Sequence, residues 1–429
     1  MRTLQILSLD LAAMLLAAIP VAAVAGTPPA APGTPAPSAA SPVAGWDALV
    51  DSLHTLPERM LAKLPETMRS DPQIRQEVGR LTLEALAAAS IAAVGGDGDA
   101  PRFLPTINDL LNVGQPNADT IYRTARLTPG GSYRISGKRG SLKLTVMAQF
   151  VMPGAAGAGM RSQLDFSTLR TDVKGRFDLL LSATRPEGYT GDWWQLDPGA
   201  TGLMLRMVSS DWGKEEDPAL SIERLDKPIR RTRPTAMVLE QRLRALPAAI
   251  DSMALRFVDH VETLRRQGVV NQLKVFNVPV GGLAGQFYYE GVYDLADDEA
   301  LIVSSPLPKT CTYRSLILTN EIYETTDWIN NHASLNADQA PPDADGKLRI
   351  VVSARDPGVR NWLDTSGYPR GIIQGRWTGC DSQPIPEVRK VKVKDVLAAM
   401  PSGVATVTPA ERQAILRARR DAYLERPFW

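Results

Sequence analysis

The hydrophobic pattern changes period twice along the chain. Over residues 46–64 and 72–94 apolar positions recur at helical spacing. The second stretch has Asp71 placed to cap it, Pro72 at its first position and Gly95-Gly96 to stop it. From Phe103 the pattern shortens to runs punctuated by Gly and Pro, which predicts strands at 133–136, 142–151, 177–183, 193–196 and 203–208. Some of these runs alternate and others are apolar throughout, a mixture that fits an antiparallel sandwich better than a parallel sheet. Leu239, Leu243, Leu246, Ile250, Met253, Phe257, Val261 and Leu264 then step by fours and threes along one long helix, and Pro247 predicts a kink or break within it. Strands return at 275–280, 287–295, 301–304, 312–318, 348–352, 371–378 and 388–393, and a last helix opens at Thr408-Pro409.

The expected fold is therefore α+β and mainly β. Two β-rich, antiparallel, sandwich-like domains (46–230, which includes the N-terminal helices, and 271–405) are joined by a long kinked helix (231–270) and followed by a C-terminal helix (406–429). A length of 429 residues suits two domains. Lys+Arg 48 against Asp+Glu 47 leaves a net charge of +1, so no overall field favours nucleic acid. Arg2 precedes an apolar run ending in Ala23-Val24-Ala25, the small residues of a signal-peptidase site. Residues 1–25 thus read as a cleaved export signal and 26–45 as a Pro/Ala-rich linker, making the mature chain periplasmic or secreted; an uncleaved anchor is the alternative. No later stretch reads as a membrane span. Export would put Cys311 and Cys380 in an oxidising compartment. A disulfide between them would be worth about 4 kcal/mol by loop entropy, and two unpaired buried thiols fit the sequence equally.

Familiar chemical signatures fail one by one. Gly137-Lys138 lacks the rest of a phosphate loop, and Gly157-Ala158-Gly159 lacks the third glycine of a dinucleotide fold. Asp343-Ala344-Asp345-Gly346 reads as a hairpin turn because the last calcium-ligand position holds Val352. His54, His260 and His332 have no zinc spacing, so neither metal nor cofactor is expected. Three polar-aromatic clusters remain. Asp119, Tyr122 and Arg123 offer a carboxylate, a phenol and a cation; Arg206 lies upstream of Asp211-Trp212 and Glu215; Asn361, Trp362 and Asp364 lie close to Arg376 and Trp377. Each reads either as a site or as a structural corner made of turns and ion pairs.

Several of these residues also carry a resemblance. Asn117-x-Asp119-Thr120-x-Tyr122, Tyr133-Arg134-Ile135-x-Gly137, Asp211-Trp212 with Glu215, Ser334-Leu335-Asn336, Asp356-Pro357-Gly358 and Asn361-Trp362-Leu363-Asp364 resemble a bacterial family. It pairs two domains of unknown function, the twelve-fifty-four type followed by the twelve-fourteen type, and the likeness spans most of 103–378. It implies a β-rich, frequently exported two-domain protein and no reaction. The leading expectation is a small-molecule or glycan-like ligand held between the domains, with Arg123, Asn361, Trp362, Asp364, Arg376 and Trp377 as binding residues. The alternatives are a metal-independent hydrolase or lyase, with Asp119 or Glu215 as acid/base and Tyr122 and Arg206 stabilising charge, and an envelope protein whose basic C-terminal helix docks on a partner or anionic lipid. The oligomeric state is left open.

Overall fold

The computed structural model describes residues 41–152, 158–276, 282–283 and 285–427. The expected export signal, most of the linker and the end of the strand expected at 275–280 lie outside the described residues.

A helical layer comes first. Helices α1 (Trp46–Leu61), α2 (Glu66–Arg69) and α3 (Pro72–Gly95) are joined later in the chain by α4 (Ala236–Ala254) and α5 (His260–Arg266). The Asp71 carboxylate accepts the Gln73 N–H at 2.8 Å and starts α3 as expected. Leu56 and Met60 of α1, Val78 and Ala85 of α3 and Ile250 of α4 share one buried core. Two expectations change here. By length and composition α3 is apolar enough to cross a membrane; here Ile74, Val78, Leu81, Ala85 and Ala88 bury one stripe of it against α1 and α4. The long helix does not break at Pro247, which lies inside an unbroken α4. Proline there forfeits a single backbone bond, while Leu246, Ile250 and Ala254 hold both halves in the helical core. The break falls instead between Ala254 and His260, where the apolar stripe leaves that core and Val261 and Leu264 join Val292 and Ile372 of the second β region.

The rest is two sandwiches. In the first, β1 (Leu104–Pro105), β2 (Thr120–Arg126), β3 (Tyr133–Lys138), β4 (Leu144–Val151), β5 (Gly159–Asp165), β6 (Arg176–Ser182), β7 (Asp192–Gln195), β8 (Gly202–Val208) and β9 (Ala219–Arg224) form sheets of order β1-β2-β8-β4-β5 and β7-β6-β3-β9. Ile135, Leu179, Met147 and Leu205 fill the space between them. In the second, β10 (Lys274–Phe276), β11 (Gln286–Asp294), β12 (Glu299–Pro306), β13 (Cys311–Leu318), β14 (Ser334–Asn336), β15 (Lys347–Ser353), β16 (Trp362–Asp364), β17 (Arg370–Cys380) and β18 (Glu387–Lys392) form β10-β11-β17-β13-β14 and β16-β15-β12-β18. Tyr293, Leu301, Leu318, Val352 and Trp377 fill that interior. Pairing is antiparallel except for β6–β7 and β15–β16. The fold is thus α+β and mainly β. Cys311 and Cys380 are directly opposed on β13 and β17, and their sulfurs are bonded.

After the short α6 (Val396–Ala399), α7 (Pro409–Leu424) starts with a reciprocal Thr408–Glu411 capping box. Arg412, Arg419 and Arg426 recur every seven residues, so the first two share a face of α7, and all three are buried. Arg412 bonds Asp356 at 2.9 Å and the Arg360 carbonyl at 3.1 Å in the second sandwich. Arg419 bonds the Ser334 carbonyl and lies 4.7 Å over the Trp212 ring, and burial holds its pKa down to about 10. Arg426 reaches the first sandwich through Asp217 at 2.8 Å and the Asp119 carbonyl at 3.0 Å. The helix read as a basic docking face spends three of its five arginines inside its own chain; Arg417 and Arg420 remain outside.

One buried acidic contact carries a pH dependence. Burial against the helical layer, with Glu324 close by, pushes the Glu84 carboxyl up to about 9, opposed by Arg80. The folded form therefore holds a proton that the unfolded chain releases at ordinary carboxyl pH, so this contribution to stability is full below about pH 4.5 and is lost as pH rises towards 9. Thermal unfolding between pH 5 and 9 is expected to show a falling midpoint, and Glu84→Gln, which mimics the protonated form, is expected to flatten most of that slope.

Candidate functional site

Strand alternation gives each sandwich one sheet whose outer face mixes polar and apolar residues, and these two faces close on each other. On β2 and β8, Ile121, Leu203, Leu205 and Met207 point into the first core, so Tyr122 and Arg206 point out as directly opposed partners. On β11 and β17, Tyr289, Tyr293, Ile373 and Trp377 point into the second core, and Tyr288 and Arg376 point out, again directly opposed. Tyr313 of β13 meets Leu144, Val146 and Val208 of the first sandwich across the seam.

Asp119 ties the seam. Its carboxylate is 1% exposed and accepts Trp212 Nε1 at 2.9 Å, Asn336 Nδ2 at 2.8 Å and the Tyr313 hydroxyl at 2.6 Å. Its carbonyl accepts the Ser209 N–H at 2.9 Å and Arg426 Nη1 at 3.0 Å. Burial raises its pKa, while Tyr313, Asn336, Trp212 and Arg419 pull it back. A carboxylate so fully bonded is a fastener rather than a free acid. Glu215 is likewise committed: one of its oxygens accepts the Ser210 N–H at 2.7 Å and the Ser209 hydroxyl at 3.0 Å, bracing the turn after β8. Neither carboxylate expected as the acid/base is available for that work.

The two Tyr–Arg pairs form a quartet beside this knot. Burial lowers the Arg206 pKa, with Tyr122 and Tyr288 acting in the other direction. Burial also works against the charge on Arg376, but Tyr313, Tyr288, Tyr122 and Asp119 outweigh it and leave the pKa raised. Each sheet's arginine thus feels the other sheet's tyrosine, so the four residues lie close together across the seam. Arg376 is 4% exposed; Nη2 bonds Gln374 Oε1 at 2.5 Å, the guanidinium lies 5.6 Å from the Tyr288 ring centre, and Nε is buried without a hydrogen bond. Among the described residues no carboxylate pairs with it. The Tyr122 hydroxyl accepts the Asn117 N–H at 3.2 Å, which leaves its own hydrogen free to donate. Tyr122 and Tyr288 are only half-buried. Two buried guanidiniums flanked by phenols are suited to a carboxylate or a phosphate.

The other expected residues lie elsewhere. Arg123 bonds the Pro427 carbonyl at 3.3 Å, at the end of the chain's last turn. Trp377 is a core residue of the second sandwich, its Nε1 bonded to the Pro384 carbonyl at 2.9 Å, because period two puts it on the face opposite Arg376. Trp362 is 6% exposed, with Arg412 5.1 Å from its ring centre and the His332 ring 6.3 Å away in a stacked arrangement. Neither indole offers a free face to a ring-shaped ligand. Asn361 bonds the Pro341 and Arg349 carbonyls at 2.8 and 3.1 Å, and Asp364 accepts the Ser366 N–H at 2.8 Å. Both are turn braces, although Trp362 and Asp364 also edge a groove of about 560 Å³ beside α7. Of the ten candidate catalytic and binding residues, Tyr122, Arg206 and Arg376 meet at the quartet, next to Asp119.

The chain has a solved relative. It is similar to an uncharacterised protein from Burkholderia cenocepacia, with a TM-score of 0.75 and 28% identity over 83% of this chain and 98% of that one. A protein from Vibrio parahaemolyticus matches at a TM-score of 0.44 and 13% identity, over 74% of this chain and 99% of the other. No protein-family model matches the sequence, and no curated protein is similar to it.

Sequence reasoning missed Tyr288, Gln374 and Glu290. The signal was present, since Tyr288 and Glu290, and Gln374 and Arg376, recur at period two opposite the apolar face of their strands. A polar strand face reads the same whether water or a second sheet covers it. If Asp119 is the fastener, Asp119→Asn, which replaces one acceptor oxygen by donors where three donors converge, is expected to cost about 1–3 kcal/mol. Denaturant unfolding followed by tryptophan fluorescence checks this, because Trp212 is one of the three donors.

Proposed function

We propose that the protein is an exported binding protein that holds a small anion, a carboxylate or phosphate group on a small or glycan-like molecule, between its two sandwiches. The observation that carries this reading is Arg376: a buried, charged guanidinium with a buried Nε that lacks any bond and no carboxylate partner among the described residues. Among the other buried arginines around the seam, Arg426 has Asp217 and Arg412 has Asp356, while Arg419 shares the lack of an acid partner and has only Ser334 and the Trp212 ring. An isolated buried charge costs several kcal/mol, and a bound anion relieves that cost while using the same N–H groups. The Tyr122 hydroxyl can supply a further donor, and Arg206 and Tyr288, the strand partners of Tyr122 and Arg376, flank the place. The resemblance to the family pairing two domains of unknown function supports the same place: Asn117, Asp119, Tyr122, Trp212 and Asn336, all part of that resemblance, converge on the seam. On this reading residues 1–25 are the export signal and the ligand is met outside the cytoplasm.

The test is a thermal-shift and calorimetric titration of the mature protein with phosphate, citrate and glucuronate at low ionic strength. Saturable stabilisation is expected, and Arg376→Gln is expected to weaken it by about ten- to a hundredfold, the worth of a charge-assisted pair of bonds. The same variant without anion is expected to be as stable as the wild type or more so, since it removes a buried charge that has no partner. Loss of stability in the anion-free variant together with no anion effect on the wild type contradicts the reading.

A further inference from the structure

The outer face of the second sandwich continues past the quartet. One step along the same ladder from Tyr288 and Arg376, Glu290 of β11 stands opposite Gln374 of β17. Glu290 is wholly buried, and its Oε1 is 2.7 Å from His260 Nε2, the first residue of α5. Its other oxygen accepts longer bonds from Gln374 Nε2 at 3.4 Å and the Tyr323 hydroxyl at 3.5 Å. Gln374 also donates to the Tyr323 hydroxyl at 3.0 Å, and its carbonyl accepts Arg376 Nη2 at 2.5 Å. A continuous polar path therefore runs from His260 through Glu290 and Gln374 to the guanidinium of the quartet.

The setting of the ring matters as much as the path. The His260 imidazole is packed among Tyr323 at 4.9 Å, Phe276 at 5.2 Å and Phe257 at 6.3 Å between ring centres. Phe276 is the strand partner of Tyr288, so the imidazole packs on a neighbour of one quartet residue. Nε2 is committed to Glu290, the side chain keeps 17% exposure, and Nδ1 makes no hydrogen bond among the described residues. In the neutral ring whose Nε2–H donates to Glu290, Nδ1 carries the lone pair. The two other histidines differ: His332 is enclosed, its Nδ1 against the Trp362 carbonyl, and His54 is exposed on α1 with no acidic partner among the described residues.

We propose that His260, oriented by Glu290, is a proton acceptor facing the anion held by Arg376 and Arg206, so that the seam is a reaction site as well as a binding site. This rests on the anion-binding reading. The substrate class is a small carboxylate or phosphate compound that carries a hydroxyl, or holds a water, next to its charged group. In the step, the O–H bond of that hydroxyl or water breaks, its electron pair stays on oxygen, and the proton forms an N–H bond at His260 Nδ1. Glu290 balances the imidazolium charge, and no oxidant or reductant takes part. Glu290 is the positioning residue, and Arg376, linked through Gln374, couples anion binding to it.

Diethyl pyrocarbonate, which acylates unprotonated imidazole, tests this on the full mature chain, with each histidine followed separately by mass spectrometry. His54 is the exposed reference and His332 the enclosed one. His260 is expected to react several-fold faster than His54, to be protected by inorganic phosphate when His54 is not, and to slow in Glu290→Gln. In Arg376→Gln the phosphate protection is expected to vanish. A His260 that reacts no faster than His332, or at a rate indifferent to phosphate in a protein whose calorimetry shows phosphate bound, overturns the proposal and leaves the anion site standing. So does a folded Glu290→Gln whose His260 reacts at the wild-type rate. The protection arm uses only the wild type, so it decides even if Glu290→Gln does not fold.

Discussion

The carboxylate of Asp119 is out of contact with water and is held by three donors, Trp212 from the first sandwich and Tyr313 and Asn336 from the second. A charged group in such a place is tolerated only because it is bonded; stripped of its partners it would cost several kcal/mol. The register between the two outer sheets follows from that requirement. Any slide of one sandwich past the other would pull Tyr313 or Asn336 off the carboxylate and leave it unsatisfied. Helix α7 adds a second fastening, because Arg426 grips the Asp119 carbonyl and Asp217 while Arg412 grips Asp356 on the far side.

A seam fixed this way is unusual in what it buries. Two polar sheet faces have been turned inward, and every charge there has to be accounted for. The acids are accounted for by donors, Arg412 and Arg426 by acids, and Arg419 by the Ser334 oxygens and the face of Trp212. Arg376 has only an amide oxygen and aromatic rings, with Nε bare. On the proposed reading, a guanidinium stands where an apolar side chain would pack at lower cost because the seam is a site as well as an interface. The same ladder then carries the only carboxylate–histidine pair among the described residues.

Much of the architecture was legible in the sequence because strands with one apolar face announce themselves by period. The runs expected at 133–136, 203–208, 287–295 and 371–378 all lie on observed strands. Short strands such as β14 and β16 carry too few residues for a period and were not expected. The site was legible only in pieces. Arg376 and Trp377 are adjacent in sequence and read as one cluster, yet alternation sends them to opposite faces of β17, one to the seam and one to the core. Tyr288 stood unnoticed in an expected strand, since nothing local distinguishes a face covered by water from one covered by another sheet. For α7 the reason is the same in helical form: arginines at seven-residue spacing look solvated until the acids that receive them, far away in sequence, are placed beside them.

The central claim, that the seam is built around a place for an anion, is tested most directly by anomalous diffraction from crystals of the mature protein grown with selenate. The account predicts one selenium peak bounded by Arg206, Arg376, Tyr122 and Tyr288, with an oxygen of the anion bonded to the Nε of Arg376. A seam without a peak, in crystals where selenate is found elsewhere on the molecule, would contradict it.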